Sequence, residues 1–135
     1  MTPARIVDRV MKAASLRDLP SLLAELRDAP PEIVFDALFP VAVRRQGDGN
    51  PAAMSAYVLH ALNPPCPIRM DDAVAALLPE WDVSIEEVPW YLAKQFGRAE
   101  VLDCVRRLRA RETDVPRLTA LRTVEYWVEL LRDGE

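Results

Sequence analysis

The sequence predicts an all-α protein, and three observations carry that prediction. Apolar residues recur at the i, i+3, i+4 spacing of one helix face, whereas no segment alternates as a strand would. Prolines repeatedly follow a capping residue, which is typical of a helix start. The chain has 135 residues, of which 50% are hydrophobic and 28% charged. These values fit a single domain, 1–135, with a core of its own.

The N-terminal third of the chain contains three predicted helices. Thr2 and Pro3 form a cap and a first-turn proline ahead of the first apolar stripe. Asp18 takes the capping position of a second helix, which ends at the next proline pair. A third helix begins at Pro31 and is apolar on nearly all sides, as expected of a buried helix. Pro40 lies inside it and should bend or break it.

Caps and prolines also divide the middle of the chain. Asn50 and Pro51 begin a fourth helix, and the proline-rich segment 63–67 behind it predicts a rigid, extended connector. Asp71 and Asp72 lie where carboxylates favour a helix start. They therefore predict a short fifth helix.

Two further helices are predicted to meet at Gly97. Ser84 and Glu87 fit a capping box, but Pro89 conflicts with it, so we expect a short turn over 85–88 and a helix from about Pro89. Gly97 is a natural helix end. A helix over 98–111 follows at once, which predicts an antiparallel hairpin.

The last predicted helix begins at Pro116. Its main apolar stripe has helical spacing and can face the domain: Leu121, Val124, Val128 and Leu131.

The predicted helices also fall into pairs. Pairs begin near Leu19, Pro51 and Ile85, at spacings of 32 and 34 residues. Over residues 19–111 this organisation resembles α-helical repeat proteins of the HEAT type, and the resemblance implies a short solenoid of antiparallel helical hairpins. A closed bundle of the same seven to eight helices is the alternative.

Charge and motifs exclude several classes of function. Lys and Arg number 17 against 21 Asp and Glu, for a net charge of −4, so the chain as a whole does not attract nucleic-acid phosphate. The sequence contains no glycine-rich phosphate loop, nucleophile elbow or metal-binding spacing. We therefore expect no cofactor and no metal.

The residues that could catalyse a reaction do not form a convergent set. His60 is the single histidine, and it lies at the edge of its helix stripe, although a dyad with Cys66 across one connector is conceivable. The acidic pairs 71–72 and 86–87 lie at predicted helix starts, where capping and the helix dipole explain them. We therefore predict a protein that is not an enzyme.

Five arginines make the helix Arg98–Arg111 the one basic cluster of the sequence. They scatter around the polar arc, and Asp103 precedes Arg107 by the four residues of an intrahelical ion pair. A solvated helix face explains this pattern. The alternative is a DNA-binding regulator that uses this helix after the tight turn at Gly97, although nucleic acid is not the expected partner.

Aromatic side chains off the main stripes suggest a protein contact. They lie on the helix before Gly97 and on the last helix, beside one leucine: Trp90, Tyr91, Tyr126, Trp127 and Leu130. Trp and Tyr are enriched at interface hot spots, and they are also typical of a wide helical core. We predict a non-catalytic interaction module, a scaffold, adaptor or operon-partner protein, that binds another protein or a second copy of itself.

Cysteines and targeting signals predict a cytoplasmic protein. Cys66 and Cys104 are too few for a disulfide scaffold and lack the spacing of a zinc site, so we expect free thiols in a reducing environment. The N-terminus is amphipathic, unlike a signal peptide. The charge-free run 50–68 contains too many prolines to cross a bilayer as one helix. The excess of Arg over Lys predicts a GC-rich, bacterial source.

Overall fold

The computed structural model describes residues 2–13, 15–44 and 50–131, and this part of the chain is helical without any strand. The all-α prediction is therefore confirmed. Eight α-helices and one 3-10 turn, Leu16–Asp18, lie in the described residues. In chain order the helices are α1 (Pro3–Met11), α2 (Leu19–Leu26), α3 (Pro31–Ala42), α4 (Asn50–Leu62), α5 (Met70–Ala75), α6 (Glu87–Phe96), α7 (Arg98–Arg111) and α8 (Val115–Glu129).

The helix starts agree with the sequence at some positions and differ at others. Thr2 caps α1 by accepting a hydrogen bond from the Arg5 N–H. At the second start Ser15 is the capping residue, and Asp18 completes its capping box, because a 3-10 turn precedes α2. Ser84 does not cap α6, since its hydroxyl donates to the Asp82 carboxylate at 2.7 Å in a local turn.

The expected break at Pro40 does not occur, because α3 continues through it to Ala42. The proline removes one backbone hydrogen bond, and packing against α1 and α4 holds the helix on both sides of it. Gly97 does end α6, at φ +98°, a conformation that favours glycine. α7 begins at the next residue and packs on α6.

The helices pair differently from what the 32- and 34-residue spacing predicts. The most extensive contacts join α3 to α4 and α7 to α8, whereas α2 with α3 and α4 with α5 make little or no contact in the described residues. The even-numbered helices also contact one another in series, α2 to α4, α4 to α6 and α6 to α8. The spacing marks where helices begin, but α4 is apolar on several sides and buries against α3 and α6.

The core runs through the whole series of helices and carries the predicted stripes. α3 buries Val34, Phe35 and Leu38, as its apolar composition requires. The connector 63–67 is held against α6, because the Tyr91 hydroxyl donates to the Pro64 carbonyl at 2.7 Å. Among the described residues, no helix has the length and hydropathy needed to cross a bilayer.

Candidate protein-binding surface

The outward face of α8 carries most of the large apolar side chains that are exposed in the described chain. Val115, Tyr126 and Leu130 are 70%, 55% and 53% exposed, and they account for three of the five large hydrophobic side chains that are exposed among the described residues. Thr119 and Arg122 lie between them on the same face, at spacings of three and four residues. We call these five residues the α8 outer face.

The sequence of α8 fixes which face points outward. Asp114 caps the helix by accepting from the Arg117 N–H at 3.1 Å. Leu121, Val124 and Val128 are fully buried on the opposite side. This predicted stripe is therefore core, and it turns the outer face away from the domain.

Two indoles hold α8 against the rest of the molecule. The indole N–H of Trp127 donates to the Val83 carbonyl at 2.7 Å, and that of Trp90 donates to the Trp127 carbonyl at 2.9 Å. The Tyr126 ring meets the Trp127 ring edge-on, at a centroid distance of 5.1 Å. Trp90 and Trp127 are half-buried. Trp127 supports the Tyr126 ring, and Trp90 in turn holds Trp127.

Tyr91 does not belong to this surface, although we predicted it as a contact residue. Its side chain has no exposed area, and its hydroxyl is bonded to the Pro64 carbonyl. Burial raises the pKa of this phenol well above its usual value. Tyr91 lies beside Trp90 in the sequence but points into the core, where it anchors the connector.

Two grooves flank α8, one at each end. The N-terminal groove, of about 660 Å³, lies between the first turns of α8 and the segment 78–83 and is lined by Glu80, Trp81 and Pro116 among others. The C-terminal groove, of about 390 Å³, is lined by His60, Trp90, Lys94, Leu130 and Leu131. Both lie on one flank of α8, since Pro116 and Ala120 in the first groove and Leu131 in the second follow one helical spacing.

The two grooves differ in charge. Lys94 is exposed in the C-terminal groove and donates to the His60 carbonyl at 2.9 Å. Burial, helped by Lys94, lowers the pKa of His60, so its imidazole is neutral at neutral pH. Glu80 is exposed in the N-terminal groove. One end of α8 is therefore bordered by a cation and the other by an anion.

The His60–Cys66 dyad does not form. The Cys66 thiol donates to the Ile68 carbonyl at 3.6 Å, and burial raises its pKa. His60 packs instead against the Trp90 ring, at a centroid distance of 6.0 Å. A thiol that is harder to ionise and has no base beside it is a poor nucleophile.

The acidic pairs have different surroundings. Hydrogen bonds from Arg107 and from the Cys104 thiol lower the pKa of Asp71, whereas burial raises the pKa of Glu87 at the start of α6. The described residues contain no group of three or more His, Cys, Asp or Glu side chains that could hold a metal ion.

Arginines of α7 are largely engaged with acidic side chains. Arg106 and Arg109 both reach Glu125 of α8, at 2.9 and 2.6 Å, and Arg107 reaches Asp71 at 3.3 Å. These ion pairs join α7 to its neighbours. They explain the basic cluster as part of the packing between helices.

Sequence reasoning found Tyr126 and Leu130 but missed Val115, Lys94 and Glu80. Val115 could have been found, because it precedes Tyr126 by eleven residues and so shares its helix face. The grooves could not, since they form between segments that are distant in sequence. Comparisons with protein-family models, curated proteins and solved structures give no significant match, so the interpretation rests on this geometry.

Proposed function

We propose that the chain is a non-catalytic interaction module that binds another protein, or a second copy of itself, through the α8 outer face. The observation that carries this proposal is that Val115, Tyr126 and Leu130 are all exposed on the same face of α8. Exposed apolar side chains grouped on one surface mark interaction sites, whereas scattered ones do not.

The support beneath Tyr126 favours the same function. Trp127 is fixed by its hydrogen bond to Val83, and the Tyr126 ring packs edge-on against the Trp127 ring. An aromatic side chain held in place before binding loses less conformational entropy when a partner arrives. Tyr is also among the residues enriched at hot spots.

The architecture we propose is a short HEAT-like solenoid. The serial contacts α2–α4–α6–α8, with α1–α3 and α5–α7 beside them, are those of helices stacked in two layers. In that arrangement α8 packs on α6 and α7, and its outer face stays uncovered in the described chain. An apolar face there suits a bound partner.

DNA binding through Arg98–Arg111 has less support. Arg106, Arg107 and Arg109 are paired with carboxylates, so their charge is already partly neutralised. For the compartment we propose the cytoplasm, because Cys66 and Cys104 are unpaired, as is typical of proteins kept in a reducing environment.

The test of this function compares two double variants. Tyr126→Glu with Leu130→Glu places charge on the proposed surface, and Met11→Glu with Leu16→Glu does the same to exposed side chains at the other end of the chain. Both should stay folded by circular dichroism. Affinity purification from the native cells should recover a protein with the wild type and the control but not with the α8 variant.

Two results would contradict the proposed function. If the α8 variant unfolds, then Tyr126 and Leu130 are core, because buried charge costs several kcal/mol. If it stays folded and both its partners and its oligomeric state are unchanged, then the face does not bind proteins.

A further inference from the structure

We propose that the α8 outer face pairs with the same face of a second copy, in antiparallel orientation about a two-fold axis. This inference rests on the proposed function and names the partner. It is carried by the order of side chains along α8, the positions of the two grooves and the charges that border them.

The order of apolar and polar side chains along the α8 outer face is similar from either end of the helix. Val115 and Leu130 lie at its two ends, and the midpoint between them falls between positions 122 and 123. A two-fold axis through that midpoint places Val115 of one copy against Leu130 of the second copy. It also places the Tyr126 ring over the small Thr119, so that large side chains meet small ones, as in close helix packing.

A two-fold axis also brings the grooves together. Both grooves lie on the same flank of α8, and an antiparallel pair with a perpendicular two-fold axis keeps that flank on one side while exchanging the helix ends. The C-terminal groove of one copy then faces the N-terminal groove of the other. Parallel pairing would place the grooves on opposite sides of the dimer.

The charges at the two grooves are complementary in this orientation. Lys94 of one copy faces Glu80 of the second copy, and symmetry repeats the pair at the other end. Arg122 lies within one residue of the axis, so the Arg122 side chains of the two copies meet there. Each guanidinium can turn away from the other and stack on the Tyr126 ring of the second copy. The acidic Glu125 is turned away toward Arg106 and Arg109.

The size of this surface predicts a dimer of moderate affinity. A helix of 15 residues is about 22 Å long, and a pair of such helices with their grooves falls near the lower end, roughly 1,200 Å², of stable interfaces. We therefore expect a dissociation constant on the order of micromolar.

Charge reversal tests the pairing directly. Sedimentation equilibrium of the wild type should show a monomer of 15.2 kDa in equilibrium with a dimer. Lys94→Glu alone or Glu80→Lys alone creates like-charge pairs at both ends and should weaken the dimer about tenfold. Both substitutions in one chain should restore the wild-type constant, because the pairs are re-formed with opposite polarity. Equal weakening in the double variant would overturn the proposal.

Cysteine cross-linking tests the orientation. In a Cys66→Ser background, reduced Val115→Cys and Leu130→Cys proteins are oxidised each alone and, in a third sample, after they have been mixed. The antiparallel pair should give a disulfide dimer only in the mixture, since Cys104 is fully buried. Cross-linking of each variant with itself would show parallel pairing and overturn the inference.

The two proposals fail separately. A chain that stays monomeric at millimolar concentration overturns the self-pairing. If the Tyr126→Glu and Leu130→Glu substitutions still abolish binding of a different protein, the proposed function stands without it.

Discussion

The indole of Trp127 is tied to the Val83 carbonyl by a hydrogen bond of 2.7 Å, which joins α8 to the segment ahead of α6. Trp127→Phe keeps a ring but leaves that carbonyl unpaired, so it should lower the free energy of unfolding by about 1 kcal/mol. Trp127→Ala should cost about 2–3 kcal/mol, somewhat less than a fully buried tryptophan. Urea denaturation measures both. Equal stability of the wild type and Trp127→Ala would show that the indole does not hold α8.

Glu87 should make the fold less stable as the pH rises. Burial raises its pKa above the ordinary value of 4.5, so the folded state binds the proton more tightly than the unfolded chain. The free energy of unfolding therefore falls as the pH rises through this range, and the cost persists at neutral pH. Glu87→Gln should unfold at a higher temperature than the wild type at pH 7.

The same comparison at about pH 4 provides the control. The advantage of Glu87→Gln should shrink there, because the wild-type carboxyl is then protonated. Asp71, whose pKa is lowered, changes the stability with pH in the opposite direction. Its contribution is the same in both proteins and cancels when their stabilities are compared at one pH. A variant that is less stable than the wild type at pH 7 would contradict the assignment.

The two thiols should react at different rates. Burial raises the pKa of Cys66, which remains half-buried. Cys104 is fully buried, and its burial, with a hydrogen bond to Asp71, raises its pKa to about 12. In the native protein at pH 8, a chromogenic disulfide reagent should therefore modify Cys66 slowly and Cys104 only on unfolding. The Cys66→Ser variant should lose the native-state reaction, and rapid labelling of that variant would show that Cys104 is accessible.

Duplex DNA should bind weakly, with a dissociation constant on the order of 10⁻⁴ to 10⁻⁶ M or weaker at physiological salt. The reason is that Glu125 pairs with both Arg106 and Arg109. Glu125→Gln should release Arg109 and leave Arg106 with Glu129 alone, and so tighten this non-specific binding, as measured by fluorescence anisotropy. A sequence-specific complex at nanomolar wild-type protein would favour the regulator instead.

Local patterns predicted the helices well but their packing poorly. The stripe of α8 and the Gly97 turn depend on residues within a few positions of each other, so the sequence is sufficient for them. Which helices pair depends on α4, because it is apolar on several sides and each side could pack against a different neighbour. Helix spacing does not contain that information.

The candidate site shows the same division. Tyr126 and Leu130 lie off the buried stripe of their own helix, and periodicity alone places them outside. Tyr91 also lies off a stripe, but a hydrogen bond to the distant Pro64 draws it into the core. Lys94 and Glu80 could not be predicted as site residues, because they belong to the site only through the grooves. These form between α8 and segments that are distant in the sequence.

Site-specific photo-cross-linking tests most directly whether the α8 outer face binds protein. A benzophenone amino acid replaces Tyr126 in one sample and the exposed Met11 in a control, and both proteins are irradiated in the native cells. We predict a discrete cross-linked product, either a second copy or another protein, from position 126 and none of the same mass from position 11. No product from position 126, or the same products from both positions, would contradict the assignment of this face as a contact surface.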